Sequence, residues 1–262
     1  MIDALRYELT RLFTLRSTWW LTGIALALGA VLGLPALSIH GPAKLNDYGD
    51  LMTGGGIGVL LVSVMPGLIG VFALGHDYRY GTIRPTLTAL PRRTLLMGVK
   101  VGVILVYAFV LATLTEIIRY AVGYAILGGR LTHLGLFAGP MGRVWIGVIV
   151  YVTIYALVGL AFAGLFRSVP GAIVTLIVFP LVAETVIKGL LSIPVFKSIR
   201  PAAKALPFSA GQQFFRFTTD RLSDAPGGFR EVPSPGAGLT IFLVFLVIVL
   251  GLSWLLFERR DA

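Results

Sequence analysis

Six stretches of this chain are long and apolar enough to cross a lipid bilayer as helices. A hydrocarbon core about 30 Å thick needs about 20 predominantly apolar residues per helix. Runs of that kind fall at about 19–39, 54–75, 99–127, 144–166, 171–191 and 239–257. Inside hydrocarbon each backbone N–H and C=O must find its partner within the segment, so runs of this length are read as helices. The second run is the least regular. It opens on Gly54, Gly55 and Gly56 and carries Pro66 in its middle, which leaves a re-entrant segment open beside a full crossing. Composition agrees: 56% of the 262 residues are hydrophobic and 13% charged, where a soluble domain has about 25% charged. The expected fold is an all-α integral membrane protein of six transmembrane helices.

Ahead of the first run lies a different kind of helix, over 1–18. Ile2, Leu5, Leu9, Leu12 and Phe13 share one face at a period of 3.6, with Asp3, Arg6, Thr10 and Arg11 elsewhere. With Trp19 and Trp20 at headgroup level, this reads as an amphipathic helix in the membrane interface. A plain polar lead-in to the first span is the alternative. A signal peptide does not fit, because the charged region is long and contains Asp3 and Glu8.

The charge pattern orients the chain. Arg6, Arg11, Arg16, the basic segment from Asp77 to Lys100, Arg167, Arg259 and Arg260 fall on one side, and Lys44, Arg130 and Arg143 on the other. Basic loops stay cytoplasmic, so both termini are expected inside. The loop 192–238 runs against the count with Lys197, Arg200, Lys204, Arg216, Arg221 and Arg230, partly offset by Asp220, Asp224 and Glu231. The expected organisation is the interfacial helix 1–18, a six-helix domain 19–257 with a cytoplasmic loop 76–98 and an extracytoplasmic loop 192–238, and a cytoplasmic tail 258–262. Apolar patches at 193–196, 202–206 and 214–217 predict short helices resting on the outer surface or dipping into it. The net charge of +10 sits at the edges of apolar runs, which points to topology and anionic lipid rather than nucleic acid. No internal repeat is evident.

Several chemistries are absent. The chain has no cysteine, so no thiolate chemistry. It has no G-x-x-x-x-G-K-[ST], nor any Gly-Lys, so no phosphate-cradling loop. "SAGQQ" (Ser209–Gln213) faintly resembles the signature loop of ABC ATPases, but without a phosphate loop it reads as a turn between loop helices. His40, His76 and His133 are scattered, so no metal site is expected. Nothing in the chain reads as a catalytic set.

Two pairs of charges interrupt the apolar runs: Glu116 with Arg119 at i,i+3, and Glu184 with Lys188 at i,i+4. Each spacing puts both groups on one helix face. A charge at mid-bilayer costs about 2.5–3.5 kcal/mol on insertion scales, so these groups must pair, face the interior or snorkel. They are either a polar site on a translocation path or gate, or two internally neutralised pairs. Gly29-x-x-x-Gly33, Gly54-x-x-x-Gly58 and Gly98-x-x-x-Gly102 are read as sites of close helix packing.

The segment "DYRYGTIRPTLTALPRRTLLMGVK" (Asp77–Lys100) is longer than a turn between two spans requires. Gly81 permits a sharp turn. Thr82 can cap a helix in which Pro85 is early and tolerated. The stretch 86–90 fits one or two turns, which Pro91 ends before Arg92 and Arg93. A short basic helix of this kind suits docking in an acidic groove of a soluble partner, or anchoring to lipid headgroups. The first seventeen residues, "DYRYGTIRPTLTALPRR", resemble the cytoplasmic motif of type-2 ABC transporter permeases: Glu-aromatic-Arg-x-Gly-Thr-x-Arg, a short helix, then a Pro/Arg-rich return to the membrane. Arg79, Gly81, Thr82, Arg84, Pro91, Arg92 and Arg93 match, and Asp77 stands in place of the usual Glu.

The resemblance implies a permease subunit in the cell (inner or plasma) membrane, paired with a second copy or a paralogous permease and with two ATPase subunits. ATP and Mg would be held by the ATPases and no cofactor by this chain. Asp77, Arg79, Gly81, Thr82, Arg84, Arg92 and Arg93 would couple the subunits, and the cargo would be a hydrophobic or amphipathic drug, antibiotic, peptide or lipid moved outward. Two other readings stand beside it: an ion-gradient carrier using Glu116 and Glu184, and a non-transporting anchor or immunity protein.

Overall fold

A short extended link sets the geometry of the N-terminus. In a computed structural model, which describes residues 2–34, 57–82, 93–127, 141–216 and 233–259, helix α1 (Ile2–Thr14) stops at Leu15. Leu15 has φ −75° and ψ 121°, and α2 (Arg16–Gly33) begins after it. The two helices meet at 67°. The Thr18 N–H donates to the Leu15 carbonyl at 3.1 Å, and the Trp19 indole N–H donates back to the Phe13 carbonyl at 2.7 Å, which stabilises the bend.

The remaining helices are α3 (Ile57–Arg79), α4 (Arg93–Leu127), α5 (Met141–Phe166), α6 (Val169–Val178), α7 (Glu184–Ser192), α8 (Pro207–Gln212) and α9 (Pro235–Arg259). No strand occurs among the described residues. Among the described residues, five segments are long and apolar enough to cross a membrane: α3, α4, α5, the α6–α7 pair and α9. A sixth is reached only if the bent α1–α2 pair counts as one span. The described residues form no strand, and helices of this length and apolarity mark a membrane protein. The first expected run extends to residue 39, and its last residues lie outside the description.

Helix bounds differ from the expected loops in an instructive way. α3 is one continuous helix of 23 residues that carries Pro66 inside it, about 35 Å long at 1.5 Å per residue. That is enough for a full crossing, and it runs on through Asp77 to Arg79. α4 starts at Arg93 and has 35 residues. The connection expected at 76–98 is therefore shorter, and Asp77, Arg79 and Arg93 sit on helix ends. The fifth span is not uniform: a π turn at Phe179–Ala183 around Pro180 separates α6 from α7. Proline lacks the N–H that an α-helical turn would use there, and a π turn absorbs the fault.

The core is built where backbones touch. A Cβ on Gly70 would strike the Ala156 carbonyl, and one on Gly159 the Gly67 carbonyl, so α3 and α5 lie in close contact. A Cβ on Gly29 would come within 2.6 Å of the Thr115 methyl, and one on Gly33 within 2.9 Å of the Arg119 carbonyl oxygen. The first glycine pair thus packs α2 on α4 as expected. Gly98 and Gly102 do not meet that expectation: a Cβ on Gly98 would only graze Trp254 at 3.5 Å, and one on Gly102 would meet nothing. Gly54 lies outside the described residues.

Contacts also define the two ends of the bundle. Arg93 on α4 donates to the Glu258 carbonyl near the end of α9 at 3.3 Å. The Arg167 guanidinium, in the turn between α5 and α6, lies 5.3 Å over the Tyr78 ring of α3. α1 joins this same end through the ion pairs described next. The opposite end is closed by α8 and an aromatic nest of Tyr155, Phe179, Phe208, Phe242 and Phe245. Phe208 and Phe215 are fully buried. Of the expected loop patches, 214–217 dips into the bundle through the fully buried Phe215, whereas 193–196 stays out, with Val195 81% exposed.

Candidate functional site

Four charged side chains from three helices converge at the α1 end. Lys100 Nζ lies 2.6 Å from Glu8 Oε1 and 2.8 Å from Asp77 Oδ2. Arg11 Nη1 lies 3.1 Å from the Asp77 carboxylate and 3.4 Å from Glu8 Oε2. Each cation touches both carboxylates, so the ring is neutral. The spare donors are also used: Lys100 Nζ donates to the Ala73 carbonyl at 3.0 Å, and Arg11 Nη2 to the Phe72 carbonyl at 3.1 Å. Asp77 and Lys100 are 2% and 1% exposed, and Glu8 4%. A buried charge is tolerated only when paired and hydrogen-bonded, and this cluster meets both conditions.

The cluster changes how α1 is read. Glu8, Arg11 and Leu12, with Ala4 one turn earlier, face the bundle; Leu5, Leu9 and Phe13 are exposed. The helix turns its charges inward to α3 and α4 and most of its apolar stripe outward. That outward stripe suits the membrane interface, while Leu12 belongs to the inner face.

Asp77, the first residue of the resembling motif, is a hub of this cluster. Thr82, just past the end of α3, donates its hydroxyl to Asp77 Oδ1 at 3.2 Å. Gly81 between them has φ +64°, a conformation that suits glycine. Arg79 is exposed, its guanidinium 5.6 Å over the Tyr80 ring. Arg93 opens α4 and serves the α9 carbonyl already described, a favourable place for a cation at a helix C-terminus. Arg84 and Arg92, with the short helix expected between Thr82 and Pro91, lie outside the described residues.

The two intramembrane pairs are built differently. Arg119 Nη2 lies 2.9 Å from Glu116 Oε1, both side chains buried within α4. The second oxygen, Glu116 Oε2, has no hydrogen-bond partner. Glu116 lies about 24 Å along α4 from Lys100, at 1.5 Å per residue. Glu184 instead accepts the Phe208 and Ser209 backbone N–H groups, each at 2.8 Å, and the Ser209 hydroxyl. Lys188 reaches the same hydroxyl. The i,i+4 pair therefore meets through a residue of α8.

No family model and no curated protein matches this chain.

Sequence reasoning brought Asp77 into view but missed Glu8, Arg11 and Lys100 as its partners. Lys100 carried a usable signal: a cation between Val99 and Val101 in an apolar run must find a carboxylate. Its partner Glu8 is 92 residues away, which no local pattern reveals. Among the described residues no group of three His, Asp or Glu side chains could hold a metal ion. His40 and His133 lie outside them.

Proposed function

We propose that this chain is the membrane-spanning permease subunit of an ATP-driven exporter, with the segment between α3 and α4 as the docking point for a separate ATPase. One observation carries the reading: that segment leaves α3 at Asp77–Thr82 and returns through α4 at Lys100, and both ends belong to one buried ion cluster. A push on the segment would be passed to α1, α3 and α4 together, because the closed ring of ion pairs ties them. The motif "DYRYGTIRP", with Arg79, Gly81, Thr82 and Arg84, supports the same reading by resemblance. Clustering of Arg11, Arg79, Arg93 and Lys100 at this end supports a cytoplasmic placement with both termini inside. In this proposal the chain works as a homodimer or with a paralogous permease. Two ATPase subunits hydrolyse ATP, and an apolar or amphipathic molecule moves outward.

Co-purification from the native membrane in mild detergent tests it. A nucleotide-binding subunit is expected with the chain, and its absence would overturn the proposal. Arg84→Glu should abolish that association, and a compensating charge reversal on the ATPase should restore it.

One observation favours a second reading. Glu116 Oε2 is buried without a hydrogen-bond partner, which suits a carboxylate that takes up and releases a proton. Transport that collapses with the proton gradient, and proceeds without an ATPase, would select an ion-gradient carrier instead.

A further inference from the structure

At the end opposite the four-charge cluster, the connection between α7 and α9 does more than link them. The segment Pro207–Gln212 is a short helix sunk into the bundle. Phe208 lies against Tyr155, Phe179, Phe242 and Phe245, at ring separations of 5.4, 5.8, 5.4 and 5.6 Å. A Cβ on Gly211 would strike Phe242, and one on Gly238 the Ala210 carbonyl, so the plug sits tightly on α9. Its bond to α7 is of another kind. The Glu184 carboxylate, 0% exposed, accepts two backbone amides and a hydroxyl from the plug, and Lys188 shares that hydroxyl.

Three features fit a movable latch better than a fixed cap. First, a charged carboxylate is used in an apolar setting, where apolar packing would hold a static plug at lower cost; buried polar groups are best attested as devices of register and switching. Second, the carboxylate directly follows the π turn at Phe179–Ala183, and an interrupted helical ladder of this type marks a bend point. Third, α7 packs mainly on the π turn before it and the 3-10 helix after it (Pro194–Ala205), and its Val186 and Leu190 are about half exposed. It therefore lies at the edge of the bundle, with Glu184 and Leu191 turned inward.

We propose that α7 and the Pro207–Phe215 plug form a gate at this end of the bundle, latched by Glu184 and hinged at Pro180. Opening separates the carboxylate from the Phe208 and Ser209 amides and swings α7 outward about the π turn. Closing restores three hydrogen bonds to one carboxylate, and bonds to a charged acceptor are the stronger class. No covalent chemistry and no ATPase is needed for this motion.

The absence of cysteine gives a clean test. A single cysteine at Ala210, 2% exposed in the plug, is placed in the full chain in lipid nanodiscs, and its rate of labelling by a polar maleimide is measured. Glu184→Gln weakens the latch and should raise the rate by about tenfold or more. Pro180→Ala lets a regular helical turn form at the hinge and should lower it. A control cysteine at Ala161, fully buried in α5, should label slowly in every background. An unchanged rate in Glu184→Gln overturns the proposal. So does a Pro180→Ala variant that labels as fast as the parent, which would make Glu184 a static cap. Equal acceleration at Ala161 also overturns it, since that reports general loosening. None of these outcomes depends on a partner or a cargo, so the gate stands or falls separately from the permease reading.

Discussion

Lys100 holds an ammonium between two carboxylates with almost no access to solvent, and that sets what its loss must do. Lys100→Met leaves Arg11 alone to balance Glu8 and Asp77. An uncompensated buried charge costs about 3–5 kcal/mol, so thermal unfolding of the detergent-solubilised protein should shift by an amount of that order. Adding Glu8→Gln restores neutrality, with Arg11 and Asp77 still 3.1 Å apart, and should recover much of the loss. A double variant no more stable than Lys100→Met would show that packing, rather than charge balance, holds the cluster. Glu116 makes a contrasting case. Its Oε1 is taken by Arg119 while Oε2 has no partner, so Glu116→Gln keeps the shape and removes the charge. On the transport readings proposed above, transport should fall more than expression or assembly does, and normal transport at normal expression would count against a place for Glu116 on a translocation path.

At the level of elements, glycine spacing in the sequence separates poorly from glycine function. Gly29-x-x-x-Gly33 and Gly98-x-x-x-Gly102 look alike in sequence, yet the first meets α4 backbone and the second meets almost nothing. The glycines that hold the closest helix pair, Gly67, Gly70 and Gly159, were not singled out by spacing at all. Gly70→Ala should cost about 1–3 kcal/mol by overpacking against the Ala156 carbonyl. Gly102→Ala should be neutral or stabilising by up to about 1 kcal/mol, since it only improves helix propensity. Unfolding in mixed micelles by titration with a denaturing detergent measures both, and equal effects would refute the packing account. α1 teaches the same lesson. Its 3.6-residue period was legible, and so was its amphipathicity. Which side turns inward was not: Glu8 and Arg11 face the bundle because Asp77 and Lys100 wait there, and the exposed Leu5, Leu9 and Phe13 are left for the membrane interface.

Across the whole molecule, the charge cluster and the latch sit at opposite ends of a core formed chiefly by α3 and α5. A chain lacking residues 1–15 keeps the Asp77–Lys100 pair at 2.8 Å and all five segments that are apolar enough to cross a membrane. It should still insert, as protease protection would record. On the proposed permease reading it should capture less of the proposed ATPase than the full chain in a pull-down, because the loop would have lost its tie to α1. Equal capture would confine docking to the loop itself. The amino-acid sequence by itself determined the solvent of this protein, the positions of its apolar runs and the basic character of one end. These follow from length and composition measured against a bilayer of fixed thickness, which any contiguous stretch displays. Only the tertiary structure decided which charges of different helices neutralise each other, which glycines meet backbone, and that Glu184 holds a helix of the following loop. Arg11 and Asp77 are 66 residues apart and Glu8 and Lys100 are 92. Partners at such separations are chosen by how helices pack in space, and a period of 3.6 residues carries no record of that choice.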